Sequence, residues 1–592
     1  MKKTTRNILF LTSLALSTQA LAQPYGWQTD SQPSQPAQPT PTTPTVVLQG
    51  PAAALYNAMG GTALWYGNST NQQRLNQFIR FLPSIQKHGL RPTDYRFNAI
   101  YQTLASDPNA FDIQFTTEVL RLLKDVSVGR LKDPRSVSRD NVKFAPRAFN
   151  VDARVVNFFN SPNDRSFETL APQHKMYQDL VELLARLQAI NSRGGYAGIK
   201  VLPKMFRVGV IDPIVAEMKS ILNVYGFNLY VDNNFDEPLK EALKKMQEAN
   251  LGLPDGIVSP VNKDVLTFFN VDSFTRAQEV ELVMEQIRWL PTYLGDRYLF
   301  LNSAVQELTL HDPNLETTSP LRLQKTVNGR VDRATPSLQD EVYQVILNPT
   351  WTVPESLVAK DKLPAMRKAF LESGVEGVIA YLDKMRFSLL DRATNMAIDP
   401  YSIDWATITG VSISPEGLPV QSQTISASNL SFKFVQSTGS DNALGVVKFN
   451  LKNPYAIYLH DTNERNLFGK DTQGRYIYNN RLKSSGCVRV EHPIELATYL
   501  LQGTEWTLDR ILATVPQKGQ PSGQLPPTVI PLAGSQRVKV YLLPMTAYKK
   551  GEQFYFAKDS YKQNAMVQRA LKREGYLNEA APEAASSANG IY

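Results

Sequence analysis

The apolar residues of this 592-residue chain change period near residue 280. Before that point they recur three and four apart. Leu75, Phe78, Ile79 and Leu82 do so, then Leu120, Leu122 and Leu123, then Leu180, Leu183, Leu184 and Leu187. That spacing lays one stripe along a helix. After it, short β-forming runs between turn residues take over, at 296–302, 307–310, 321–327, 344–347, 446–451, 456–460, 538–543 and 553–556. A helical stripe does not pair as a strand, so the two halves build different cores. The length alone suggests three or four domains at about 150 residues each. The expected class is multi-domain α+β.

Hydrophobic residues at 42%, charged at 20% and aromatic at 10% fit globular cores. A single cysteine, Cys487, excludes an intramolecular disulfide framework and any multi-cysteine metal cluster. The five histidines (His88, His174, His311, His460, His492) lie far apart without a His-x3-His pair, so neither a metal nor another cofactor is expected. Cys487 is then either a small buried hydrophobe or a thiol kept because it reacts.

The first 22 residues read as a secretory signal peptide. Lys2, Lys3 and Arg6 form a positive start, 8–16 an apolar stretch, and Ala20-Leu21-Ala22 a cleavage site. Gln23-Pro24 follows instead of a lipid-accepting cysteine, so no lipid anchor is expected. No other stretch offers 18 uninterrupted apolar residues, so the mature chain is expected to be periplasmic with no transmembrane segment. Cleavage leaves 60 basic against 55 acidic residues, a net +5. That is too mild for a nucleic-acid binder. In an oxidising compartment an idle thiol risks oxidation, which weights Cys487 toward function.

Residues 23–51 hold seven prolines among Gln, Ser and Thr, the composition of a semi-extended linker. Residues 52–205 read as a helical scaffold with no catalytic constellation. Within 206–270, Ile214, Met218, Ile221 and Leu222 form one apolar face and Leu239, Leu243 and Met246 a second. Gly252-Leu253-Pro254-Asp255-Gly256 follows, with Asp-Gly as a turn. This three-helix order resembles the peptidoglycan-binding module of cell-wall enzymes. A β-rich domain spans 280–570 and contains an insertion at about 358–440, with two helices and a Ser/Thr-rich stretch, that reads as a capping lid. Residues 578–592, rich in Ala, Glu and Ser, read as a flexible tail.

Chemistry concentrates at two places in the β-rich domain. A strand ends at His460 in Tyr455-Ala456-Ile457-Tyr458-Leu459-His460-Asp461-Thr462, and Ser484-Ser485-Gly486-Cys487-Val488-Arg489-Val490 follows. Cys487 is expected shortly before a helix that starts at Pro493, where backbone N–H groups would lower its pKa. Gly486 leaves room for a substrate carbonyl. A thiol needs a base, and His460 at a strand end is the candidate. His492 reads as a surface or capping group.

His-Asp-Thr followed by Ser-x-Gly-Cys-Val-Arg-Val resembles the signature of the L,D-transpeptidase (YkuD-type) catalytic domain. Arg288-Trp289-Leu290-Pro291, Asn348-Pro349-Thr350-Trp351-Thr352-Val353-Pro354, Ile398-Asp399-Pro400 and Asp441-Asn442-Ala443-Leu444-Gly445 extend the resemblance. The layout is similar to the large periplasmic YcbB-like branch. The resemblance implies a peptidoglycan tetrapeptide stem as donor, a thioester on Cys487 with loss of the terminal D-alanine, and a diaminopimelate amine as acceptor, giving a 3→3 crosslink. It implies Cys487 as nucleophile, His460 as base, and the N–H groups of Gly486 and Cys487 as oxyanion donors. Arg489 would hold the turn or a substrate carboxylate, or form a structural ion pair. Tyr458 and Ser485 would line the substrate, with plain strand packing the other role for Tyr458. Carbapenems would acylate Cys487. Implied partners are peptidoglycan stems and glycan, and other cell-wall synthases.

Ser485 stands where many members have histidine, as in the YcbB-like branch. The 26 residues between His460 and Cys487 exceed the usual spacing. The surplus of Arg465, Lys470, Arg475, Arg481 and Lys483 there could attract stem carboxylates, or form a solvated loop. Two readings compete with transfer. One is hydrolysis of the same bond by an L,D-carboxypeptidase or endopeptidase, and the other a non-catalytic wall-binding protein.

Overall fold

The computed structural model describes residues 49–260, 268–415, 419–421, 426–472, 474, 476–477, 480–516 and 525–577. The segments expected to be the signal peptide, nearly all of the linker and the tail therefore lie outside the described residues. No helix among the described residues is long and apolar enough to cross a membrane.

The helical half follows its stripes. Helix Pro108–Val128 starts on an Asp107 side chain that accepts from Ala110 N–H at 2.9 Å, with proline at its first position. Its Phe111, Phe115, Val119, Leu122 and Val126 are buried. Trp65, Phe78, Phe97 and Phe115 pack edge-on around it, with ring centroids 5.0–5.7 Å apart. Gly89, at φ 65°, ends the short helix Leu82–His88, as the His-Gly-Leu-Arg-Pro run predicts.

In the module, helices Pro213–Val224 and Glu237–Ala249 pack through Met218, Ile221, Leu222, Leu239, Leu243 and Met246. Lys219 is fully buried and held by Asp232 and Asp236, each at 2.7 Å. Residues 261–267 of the module lie outside the described residues.

Among the described residues eighteen strands run in chain order as follows. The first four are β1 (Tyr298–Asn302), β2 (Glu307–His311), β3 (Gln324–Gly329) and β4 (Leu338–Leu347). The insertion supplies β5 (Trp351–Thr352), β6 (Phe387–Asp391), β7 (Ala397–Ile398), β8 (Val411–Ile413), β9 (Pro419–Gln421) and β10 (Phe432–Gln436). Then come β11 (Val447–Leu451), β12 (Leu459–His460), β13 (Leu482–Ser484), β14 (Val488–Val490), β15 (Thr528–Pro531) and β16 (Val538–Leu543). The hairpin β17 (Ala547–Lys550) and β18 (Gln553–Phe556) follows.

The main sheet has the order β11-β12-β14-β3-β2-β1-β16-β4-β15, and β4 also pairs with β11. That extra pairing joins the two ends, so the sheet closes on itself as a barrel. Alternate residues point inward: Leu299, Leu301, Leu308, Leu310, Phe449, Leu459, Val488, Val490, Val538 and Val540 share one core with helix Pro493–Leu500. The other face of β11, β12 and β14 is left for the site.

The insertion has its own core. Val353, Leu363, Met366, Leu382, Phe387, Trp405, Phe432 and Phe434 pack behind a sheet ordered β5-β10-β6-β7. The insertion thus takes in Trp351, seven residues before the boundary expected from composition, because β5 is paired to β10.

Candidate active site

Strand register assembles the site. β12 and β14 run parallel with Leu459 opposite Val488 and His460 opposite Arg489. One step back, Tyr458 is level with Cys487. Cross-strand partners share a face, so Leu459 and Val488 enter the barrel while Tyr458, His460, Cys487 and Arg489 project from its outer side. On the other flank β11 places Lys448 opposite His460, on that same side. Sequence spacing could not reveal Lys448. It stands in an alternating strand, Val447-Lys448-Phe449-Asn450-Leu451, but nothing local says which strand pairs with it.

The expected strand 456–460 shrinks to two residues, because Ala456 adopts φ 55°. A left-handed alanine is uncommon and breaks the ladder. It turns its carbonyl toward the thiol, and Cys487 Sγ donates to Ala456 O at 3.4 Å. The Tyr458 backbone N–H and hydroxyl also face Sγ. Tyr458 further takes the indole N–H of Trp351 on its oxygen, packs edge-on to His460 at 5.6 Å, and carries the Lys448 ammonium 4.1 Å over its ring.

Cys487 lies shortly before the helix that starts at Pro493, as expected, with strand β14 between them. The expected fall in its pKa is reversed. Burial pushes the thiol up, and the Tyr458 groups, Lys448 and Arg489 only partly offset it. Burial also pushes His460 down, to about 3, and the neighbouring Arg489 adds to the shift. The His460 ring lies against the backbone carbonyls of Asp461 and Leu444. Its Nδ1 is buried without a hydrogen-bond partner among the described residues. A neutral imidazole with an open nitrogen is a proton acceptor.

The turn before Cys487 is tightly bonded. Gly486 has φ 120°, which only glycine takes readily. Its N–H donates to Ser484 Oγ at 3.2 Å, Ser484 Oγ donates to Cys487 O at 2.6 Å, and Thr335 Oγ1 donates to Gly486 O at 2.9 Å. The Gly486 N–H is thus already engaged, whereas no acceptor takes the Cys487 N–H among the described residues. Ser485 is exposed, and its Oγ accepts from Arg333 Nη1 at 3.2 Å. Arg333 also grips Asp361 of the insertion through two 2.6 Å bonds, so the turn and the insertion share one cation.

Arg489 donates to Thr462 Oγ1 at 3.2 Å and pairs with Glu464. The basic loop residues are mostly spent locally. Arg465 pairs with Asp461 at 3.0 Å and donates to Glu491 O at 2.6 Å. Arg481 is buried against Tyr476. Lys483 is exposed, and Arg475 lies outside the described residues. His492 stands at the helix start without a capping bond, beside Glu491 and Glu495.

Three segments match family models. They are a scaffold domain at 51–184, a "Putative peptidoglycan binding domain" at 212–266 and an L,D-transpeptidase catalytic domain at 296–512. A Haemophilus influenzae protein named "Putative L,D-transpeptidase" is 33% identical over 186 residues. The match covers 31% of this chain and 30% of that protein's length. Two solved structures share the fold description at low identity. An L,D-transpeptidase from Xylanimonas cellulosilytica is 11% identical, with 58% of this chain and 99% of that one covered and a TM-score of 0.15. One from Stackebrandtia nassauensis is 10% identical, with 51% and 91% covered and a TM-score of 0.19.

Proposed function

Residues 296–512 are a YkuD-type L,D-transpeptidase catalytic domain, and from that premise we propose that the chain crosslinks peptidoglycan by acyl transfer through Cys487. The reading is supported above all by the shared face that carries Cys487, Tyr458 and His460 on paired strands. The thiol gives its proton to neutral His460 as Sγ attacks the carbonyl carbon of the third residue of a tetrapeptide stem. The oxyanion is met by the Cys487 N–H. A Gly486 contribution requires its bond to Ser484 to open. One such donor is worth about 10²–10³ in rate. Collapse breaks the amide, and the D-alanine amine leaves with the proton from His460. A diaminopimelate side-chain amine then attacks the thioester, gives a proton back to the imidazole, and frees the thiol with a 3→3 crosslink formed. Peptidoglycan as substrate places this work outside the cytoplasm, with the module at 212–266 holding the wall.

Disaccharide-tetrapeptide incubated with the full chain should yield 3→3 dimers by mass spectrometry, and Cys487→Ala should yield none. Tripeptide without dimer would replace transfer by hydrolysis. Activity surviving in Cys487→Ala would overturn the assigned nucleophile.

A further inference from the structure

We propose that Lys448 recognises the terminal carboxylate of the donor stem, the group one residue beyond the bond that Cys487 attacks. This rests on the acyl-transfer reading above.

The first ground is position. Lys448 is opposite His460 in register, yet its ammonium lies 4.1 Å from the Tyr458 ring centroid. The side chain therefore leans back along the strand toward Cys487, the residue level with Tyr458. It is close enough for its charge to act on the thiol. A substrate whose carbonyl meets Sγ carries its next residue about 3.8 Å further along the backbone, and the proposal has that residue run toward the lysine.

The second ground is charge balance. Lys448 is half-buried and has no carboxylate within ion-pair distance among the described residues. Burial disfavours its ammonium, with only the neighbouring thiol acting the other way. A half-buried cation without a counter-charge is costly, and a substrate anion would remove that cost. Three arginines around the turn already have partners, while Lys483 is exposed to solvent. Arg489 pairs with Glu464, Arg333 with Asp361, and Arg465 with Asp461. Arg489 stands in the sequence signature, but its charge is matched within the protein. Among the described residues, Lys448 is a half-buried cation on this face with no carboxylate paired to it.

The test uses the full chain and two donors, a tetrapeptide stem with a free terminal carboxylate and the same stem with that carboxylate amidated. Thioester on Cys487 is read by intact-protein mass, and kcat/KM for each donor gives a selectivity ratio. The wild type should favour the free acid by about tenfold or more, the scale of a hydrogen bond to a charged group. Lys448→Met should abolish that preference by slowing the free-acid donor alone, and Lys448→Arg should retain part of it. A Lys448→Met variant that slows both donors equally, or keeps the wild-type ratio, would overturn the proposal. That pattern would leave Lys448 as a support for the thiolate or the strand. A wild type that forms no thioester with either donor would instead overturn the acyl-transfer reading, and this inference with it.

Discussion

At the scale of single residues, the site is a pair of groups moved in opposite directions by the same cause. Burial removes water from both Cys487 and His460, so each favours its uncharged form. At neutral pH the resting pair is a thiol and a neutral imidazole. In the proposed reaction the proton would move as Cys487 attacks, and the uncharged resting thiol would be less prone to oxidation between turnovers. Because the thiol titrates above its ordinary range, its alkylation by iodoacetamide should keep accelerating with pH past pH 9. A plateau below pH 8, measured by Cys487 mass shift against time, would mean that the resting site stabilises a thiolate. Residue type and local context single out Cys487 and His460 as candidates, and strand pairing brings their segments together. The direction of the thiol's shift was not legible in the sequence, since it is set by burial, which Tyr458, Lys448 and Arg489 only partly offset.

At the scale of elements, two turns carry the geometry and fail differently when altered. Gly486 has room for a methyl group, whose nearest neighbour would be Ile457 Cδ1 at 3.6 Å, but φ 120° strains any side chain. Gly486→Ala should therefore cost about 1–3 kcal/mol of stability through the backbone alone. Gly445, at φ 60°, has both problems. A Cβ there would lie 2.6 Å from Asp461 Cβ, and the Asp461 carboxylate holds Val446 N–H at 2.9 Å and Arg465 at 3.0 Å. Gly445→Ala should lower the thermal midpoint more than Gly486→Ala. Equal losses, by calorimetry on both variants, would show that the Asp461 contact is soft. Alternation and turn residues foretold eight of the eighteen strands among the described residues. They overran at β12, where the left-handed Ala456 cuts the ladder for the sake of the thiol's acceptor.

At the scale of the whole molecule, the period change near residue 280 does not divide two independent bodies. Helix Ser273–Ile287 and the C-terminal helix Gln563–Arg573 pack into the same core as the scaffold and the wall-binding module. Gln286 binds Gln563 and Asn564 at 2.7 Å each, and Glu285 joins Arg130 and Arg288 at 3.0 and 3.1 Å with all three side chains buried. The module reaches the barrel through Glu248 and Lys325 at 3.2 Å. This core makes stability depend on pH. His88, buried beside Arg288, titrates at about 3 rather than 6.5, first through burial and then through that arginine. The unfolded chain therefore binds its proton first as pH falls. The stabilisation is complete above 6.5 and is lost progressively toward 3. Asp125, which burial pushes up to about 6, works in the opposite sense, so a variant must isolate the histidine. The stability advantage of wild type over His88→Gln should shrink by about 1.4 kcal/mol for each pH unit below 6.5. An advantage constant between pH 7 and 5, from urea unfolding, would mean that His88 is not held neutral.

The sequence by itself determined the local facts. These are the helical stripes, most of the β-forming runs, the glycine turn, and which residue types can act as nucleophile and base. Each depends on neighbours within a few positions along the chain. Tertiary structure alone decided that β4 closes the barrel against β11, and that β12 and β14 lie parallel with Tyr458 level with Cys487. It also decided that Lys448 faces the thiol while Arg489 is matched by Glu464. Those outcomes depend on strand pairing across tens to more than a hundred residues, and on burial that no local window contains. The physical reason is that register chooses the face of every side chain, and burial then sets the charge each one carries.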